Sequence, residues 1–279
     1  MPGSSLQEFD RVADRIRLHQ QGDPRPILLV EGGADTRFVT RLFGRRSISV
    51  FEGGTRSAVI DASREIHSWG LTGIACIVDR DLDDVVAIHE KSVACLVPYD
   101  DADLEGMLWN TESLESLLEE LASNAKLVEF GGPDALRSQA DSVLAPLTRL
   151  RAANAQNGWG LNFTELRLDR KINRTTLSLN VRSLCDALHR DDVDVCLADL
   201  VAVAENPSWS KHCPNTGRKL VRGKDALAVA SVALRRLIGS RSLNEVTVDG
   251  LADRLRLAAS PADTAGTHWR ASITQLLGI

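Results

Sequence analysis

The chain has 279 residues, 43% apolar and 25% charged, which is long enough for a sizeable core and the composition of a soluble globular protein. A net charge of −5 argues against nucleic-acid binding by bulk basicity, and only 4% aromatic residues argues against a stacking platform for single-stranded bases. No apolar run reaches the roughly 18 residues of a membrane span, the N-terminus lacks the apolar core of a secretory signal, and the cysteines (76, 95, 185, 196 and 213) form no CxxC pair, so the expectation is a cytoplasmic protein with reduced thiols.

In chain order, the spacing predicts an amphipathic helix over 5–20, then a stiff GDPRP entry into the short buried strand ILLV (27–30). EGGAD follows, then a helix with Phe38, Val39, Leu42 and Phe43 on one face. ISVF (48–51) reads as a second strand and Gly53–Gly54 as a turn. A helix over 55–69 carries Val59, Ala62, Ile66 and Trp69 at helical spacing. GIACIV (73–78) is a third strand and VACLV (93–97) a fourth, stopped by Pro98. Short β-branched runs alternating with helices predict an α/β layer with a mostly parallel sheet, whose ligand sites gather at the carboxyl ends of the strands. The expected organisation is an N-terminal helix (1–22), an α/β core (23–110) and a mainly helical region (111–279). Helices are predicted around 111–122, 133–156, 177–189, 191–205, 224–238 and 247–258, with FTELRL (163–168) as a short strand. No internal repeat is evident.

The strand ends carry acids. Glu31 ends the first, with Asp35 one helical turn on; Asp79 and Asp81 leave the third within DRDLDD; Asp103 and Glu105 follow the fourth. Like charges this close are costly unless solvated or bound to a cation. Carboxylates at neighbouring strand ends suit a hard cation such as Mg2+ (or Mn2+), which needs few protein ligands, and if the chain stays extended Asp79 and Asp81 point to one side. An acidic surface turn is the plain alternative, and for Asp103 and Glu105 it is helix capping. An EF-hand loop fails because Asp84 stands where Gly is required and a strand-like segment precedes it. A haloacid-dehalogenase-type Asp-x-Asp or a nucleotide-sugar transferase Asp-x-Asp lacks support elsewhere in the chain. No Walker A loop occurs, so Gly32 and Gly33 read as a sharp turn near a ligand. Two basic runs, LRLDRKINR (with Arg170, Lys171 and Arg174) and KHCPNTGRKLVRGK (with Lys211, Arg218, Lys219, Arg222 and Lys224), read either as solvated loops or as a phosphate-backbone footprint.

Taken together, VEGGAD (30–35) and VDRD (78–81), in this order and about fifty residues apart, resemble the Glu-Gly-x-x-Asp and Asp-x-Asp motifs of the TOPRIM domain shared by topoisomerases, primases and OLD-family nucleases. VDRDLDD, DADLEGMLW and RGKDAL resemble more closely the TOPRIM-like nuclease effectors of bacterial anti-phage defence, of the PARIS type. The resemblance covers 25–110 firmly and 205–240 loosely. It implies a TOPRIM-like core, a toxin-like Mg2+-dependent nuclease acting on DNA or RNA (transfer RNA included), and control by a partner ATPase of the ABC type, with a homodimer admitted. It implies Glu31 as metal ligand or general acid/base and Asp79 and Asp81 as metal ligands. Asp35, Asp103 and Glu105 would support a two-metal arrangement, and Lys224 would stabilise charge on the scissile phosphate. Tyr99 is the lone tyrosine and lacks a strand-passage setting. The rival expectation is a catalytically silent metal-binding module that regulates a partner.

Overall fold

The computed structural model describes residues 11–190 and 193–279, which divide into two compact units, both discontinuous in sequence. One takes 11–80, 84–100 and 260–279; the other takes 81–83 and 101–259.

The first unit starts with helix α1 (Val12–Gly22), which buries Ala13 and Ile16; the predicted stretch 5–10 lies outside the described residues. Strand β1 (Ile27–Val30), helix α2 (Gly33–Phe43), strand β2 (Ser49–Glu52), helix α3 (Arg56–Ser68), strand β3 (Ile74–Val78), helix α4 (Val85–Glu90) and strand β4 (Leu96–Pro98) follow. All strands pair in parallel, in the order β2-β1-β3-β4. The central strands, ILLV and IACIV, are buried along their whole length, as a parallel sheet covered on both faces requires. Ile27, Leu29, Val59, Ile66, Ile74, Cys76 and Val78 form the heart of one core cluster.

Strand β4 starts three residues later than the sequence pattern suggests, ends one residue later, and includes Pro98 instead of stopping before it. Proline has no N–H for a ladder and is tolerated on an edge strand, which β4 is. Pairing carries on past it, since Tyr99 N donates to Val78 O at 3.1 Å.

The second unit is helical: α5 (Leu104–Trp109), α6 (Glu112–Leu121), α7 (Asn124–Phe130), α8 (Gly132–Asn157), α9 (Leu168–Lys171), α10 (Val181–Leu188), α11 (Leu197–Glu205), α12 (Gly223–Arg236) and α13 (Val248–Ala258). Helix α12 is its hub. Every residue from Ala226 to Leu234 is buried, and α5, α8, α9 and α13 all pack against it, as expected of a helix that is apolar all round. The strand predicted over FTELRL does not form; 163–167 is turn and coil leading into α9. Among the described residues no strand of this unit is there to satisfy its backbone groups, and a lone strand leaves them unpaired.

Two turns in this unit are copies of one another. Ile172 bridges Leu179 and, 40 positions on, His212 bridges Lys219, both antiparallel. Asn173 N donates to Ser178 O and Leu177 N to Asn173 O; Cys213 N donates to Arg218 O and Gly217 N to Cys213 O. Leu177 and Gly217 both have positive φ (46° and 68°). The backbone repeats although the sequences share little beyond Lys171/Lys211, Thr176/Thr216, Val181/Val221 and Arg182/Arg222.

Helices α14 (Pro261–Ala265) and α15 (His268–Leu277) belong to the first unit, not to the helical region in which the sequence placed them. Helix α15 packs on β3 and β4. Its Trp269 is fully buried, stacks on Tyr99 with ring centroids 5.4 Å apart, and lies 6.1 Å from Phe38. The backbone N–H of Trp269 donates to the buried carboxylate of Asp100 at 3.1 Å.

Candidate functional site

In the first unit, Glu31 follows β1 and Asp79 follows β3, which are adjacent strands. Glu31 Oε1 accepts the backbone N–H of Asp79 at 2.8 Å, so the two strand exits are tied together by one carboxylate. Asp35, in the first turn of α2, accepts the Gly32 N–H at 3.3 Å with Oδ2 and the Tyr99 hydroxyl at 2.7 Å with Oδ1. Burial, and after it the negative charges of Asp35, Asp79 and Glu31, push the Tyr99 hydroxyl well above its usual pKa. Three carboxylates therefore act on one buried phenol, which stays protonated and serves as a donor. Tyr99 is thereby a positioning residue for Asp35.

Three features of this edge escaped the sequence patterns. Arg80, between the two aspartates of VDRD, is buried. It donates to both Glu90 oxygens (2.9 and 3.2 Å) and to Tyr99 O (3.3 Å), pinning the exit of β3. Glu52, at the end of β2, accepts the Thr36 hydroxyl at 2.6 Å and adds a further carboxylate to the same sheet edge. Gly32 has extended backbone (φ −158°), so no left-handed conformation demands glycine there. A Cβ at 32 would meet nothing within 4 Å, and the space before α2 is open.

In the second unit, Asp81 has φ +51° and its N–H donates to Ala102 O at 2.8 Å. The chain does not stay extended past Asp79, so the strand-alternation argument that put Asp79 and Asp81 on one side does not apply. Asp103 is buried and caps two helices at once. Its Oδ1 accepts Gly106 N–H at 2.7 Å at the start of α5 and Gly223 N–H at 2.9 Å at the start of α12, and its Oδ2 accepts Gly223 N–H at 3.1 Å. Arg222 Nε stands 4.0 Å from Oδ2. Burial dominates and pushes the Asp103 carboxyl up to about 6, against the pull of both N–H groups and of Arg222, with Asp81 adding repulsion. Glu105 is ion-paired with Arg256. Asp103 thus fills the capping role weighed for it in the sequence, and Glu105 ties α5 to α13 through its ion pair.

The basic residues divide sharply. Lys211 Nζ donates to the carbonyls of Leu82 and Asp83 (2.8 and 2.9 Å). Arg218 pairs with buried Asp101 at 3.0 Å, and Lys224 with Asp249 at 3.1 Å while half exposed. With Arg222 beside Asp103, the 211–224 run largely answers acids and carbonyls of its own unit; Lys219 is exposed. Arg170 and Arg174 are exposed, and Lys171 reaches Ser183 Oγ at 3.3 Å.

The donors at the sheet edge are all carboxylate oxygens, the chemistry of a hard-cation site. Each carboxylate has about four lone-pair directions, so accepting one N–H does not exhaust Glu31. Among the described residues no three His, Cys, Asp or Glu side chains are gathered as a metal-binding cluster. Magnesium is commonly held by only one or two carboxylates together with waters and substrate phosphates; the bond between Glu31 and Asp79 runs from the carboxylate to the backbone N–H, not between the two side chains.

No family model matches the chain, and neither a curated protein nor a solved structure matches it.

Proposed function

We propose that the chain is a divalent-metal-dependent nuclease of TOPRIM-like design, acting as the effector of a bacterial anti-phage system under the control of a partner ATPase of the ABC type. The observation that carries the reading is the pairing of Glu31 and Asp79 at the carboxyl ends of adjacent parallel strands, linked by the 2.8 Å bond. Ligand sites of open parallel sheets collect at that edge.

Glu31 and Asp79 would hold Mg2+ or Mn2+, which when bound supplies Lewis acidity to water and to the phosphoryl oxygens of a phosphodiester. The chain's own residues prepare the edge. The Asp79 N–H fixes the Glu31 carboxylate, the Tyr99 hydroxyl fixes Asp35, and Arg80 holds the β3 exit through Glu90. The use of Asp103 and Glu105 in capping and ion pairing favours a second reading, a metal-binding module without catalysis.

The test is a cleavage assay of the purified chain on DNA, messenger RNA and transfer RNA, with Mg2+, Mn2+ or EDTA, alone and with the partner ATPase. Metal-dependent cleavage should vanish in Glu31→Gln and Asp79→Asn while the circular-dichroism spectrum is unchanged. Full activity in both variants would sink the assignment. Calorimetric Mg2+ binding with no cleavage, partner included, would establish the silent module.

A further inference from the structure

We infer that a cleft in the second unit, lined by Arg167, Arg170, Lys171 and Arg190, binds the phosphodiester backbone of a single-stranded stretch of nucleic acid. The inference rests on the nuclease reading only for the identity of the polyanion.

The cleft has a volume of about 450 Å3, within the range of ligand sites. It admits a nucleotide or two of backbone and not the breadth of a duplex. Four cationic side chains line it against one carboxylate, Glu165, which Arg190 engages at 3.3 Å. Asp169, the acid inside the same run, is taken by Arg235 at 3.7 Å. Among the described residues the guanidinium groups of Arg167 and Arg170 have no carboxylate partner, and both residues are exposed. The 211–224 run is the opposite case, with its cations engaged inside the unit by Asp101, Asp103, Asp249 and two carbonyls. Of the two basic segments, only the first therefore keeps several positive charges for a ligand.

The lining includes no aromatic ring. Binding should then run through phosphates, with strong salt dependence and little sequence preference. Ser183, held by Lys171, adds a hydroxyl suited to a phosphate oxygen.

The test uses the full chain in EDTA, so that cleavage plays no part, with fluorescently labelled oligo-dT and oligo-U read by anisotropy from 50 to 200 mM NaCl. Wild type is compared with the triple variant Arg167→Ala/Arg170→Ala/Arg190→Ala and with its all-lysine counterpart, both checked for folding by circular dichroism. At about 0.7 per phosphate contact on a single strand, loss of three contacts should lower the salt slope by about 2. Wild type should thus lose roughly 20-fold more affinity than the alanine triple across that range. The lysine triple should keep the slope. Equal affinity and slope in wild type and the alanine triple would overturn the inference. So would a lysine triple as weak as the alanine one, or ATP binding that the alanine triple abolishes while oligonucleotide binding survives. Cleavage in Mg2+ is scored separately: binding without cleavage leaves the cleft standing and removes the nuclease reading, and cleavage without cleft-dependent binding does the reverse.

Discussion

Gly223 is where the second unit is least forgiving. A Cβ there would stand 2.3 Å from Gly106 N and 2.4 Å from both Glu105 C and Glu105 Cβ, where ordinary contact begins near 3.4 Å. Two of those three atoms are backbone, so no rotamer change relieves the overlap. Helix α12 would have to withdraw from α5, and overpacking of this kind costs about 1–3 kcal/mol. Withdrawal also lengthens the bonds from Gly223 N–H to Asp103, and loss of a helix cap costs about 1 kcal/mol. Alanine's better helix propensity returns at most about 1 kcal/mol. Gly223→Ala should therefore destabilise by about 1–3 kcal/mol, which at about 2–4 °C per kcal/mol lowers the melting temperature by roughly 2–12 °C. Urea and thermal unfolding followed by circular dichroism measure it. Gly266→Ala is the control, because a Cβ there meets nothing within 4 Å and φ is −88°; its effect should stay within about 0.5 kcal/mol. A Gly223→Ala protein melting within about 1 °C of wild type would refute the close-packing argument.

Asp103 should titrate near pH 6, as read from its carboxyl 13C resonance assigned with Asp103→Asn; a midpoint at or below about 4, the ordinary aspartate range, would contradict the dominance of burial. Between about 4 and 6 the native state holds this proton and the unfolded chain does not, so the stability tied to this group rises as pH falls through that window and is flat above it. Tyr99→Phe leaves the Asp35 carboxylate without its 2.7 Å donor and should cost about 1–3 kcal/mol in urea unfolding. Unchanged stability would mean that the hydroxyl does not hold Asp35.

The sheet was legible because fully buried parallel strands must be short β-branched runs, and ILLV and IACIV are such runs. The sheet-edge acids were legible for the same reason, since Glu31 and Asp79 follow those runs directly. What lies beyond local pattern was not. The left-handed turn at Asp81 accompanies a bond to Ala102 O, and the double cap by Asp103 depends on Gly223, 120 residues away. Arg80 drew no reading of its own from the sequence, because its partner Glu90 lies across a helix with no strong pattern of its own. The duplicated turn was hidden because backbone geometry set by one left-handed residue tolerates either Leu177 or Gly217 there.

The bond from Trp269 to Asp100 spans 169 residues, and this has a consequence during synthesis. At about 5–20 residues per second, roughly ten to thirty seconds pass between the emergence of β4 and that of the tryptophan that covers Tyr99 and Phe38. Over that interval the nascent sheet carries an uncovered aromatic face next to its carboxylates, open to chaperones and proteases. The sheet edge therefore gains its last support only after the whole intervening helical unit has been made.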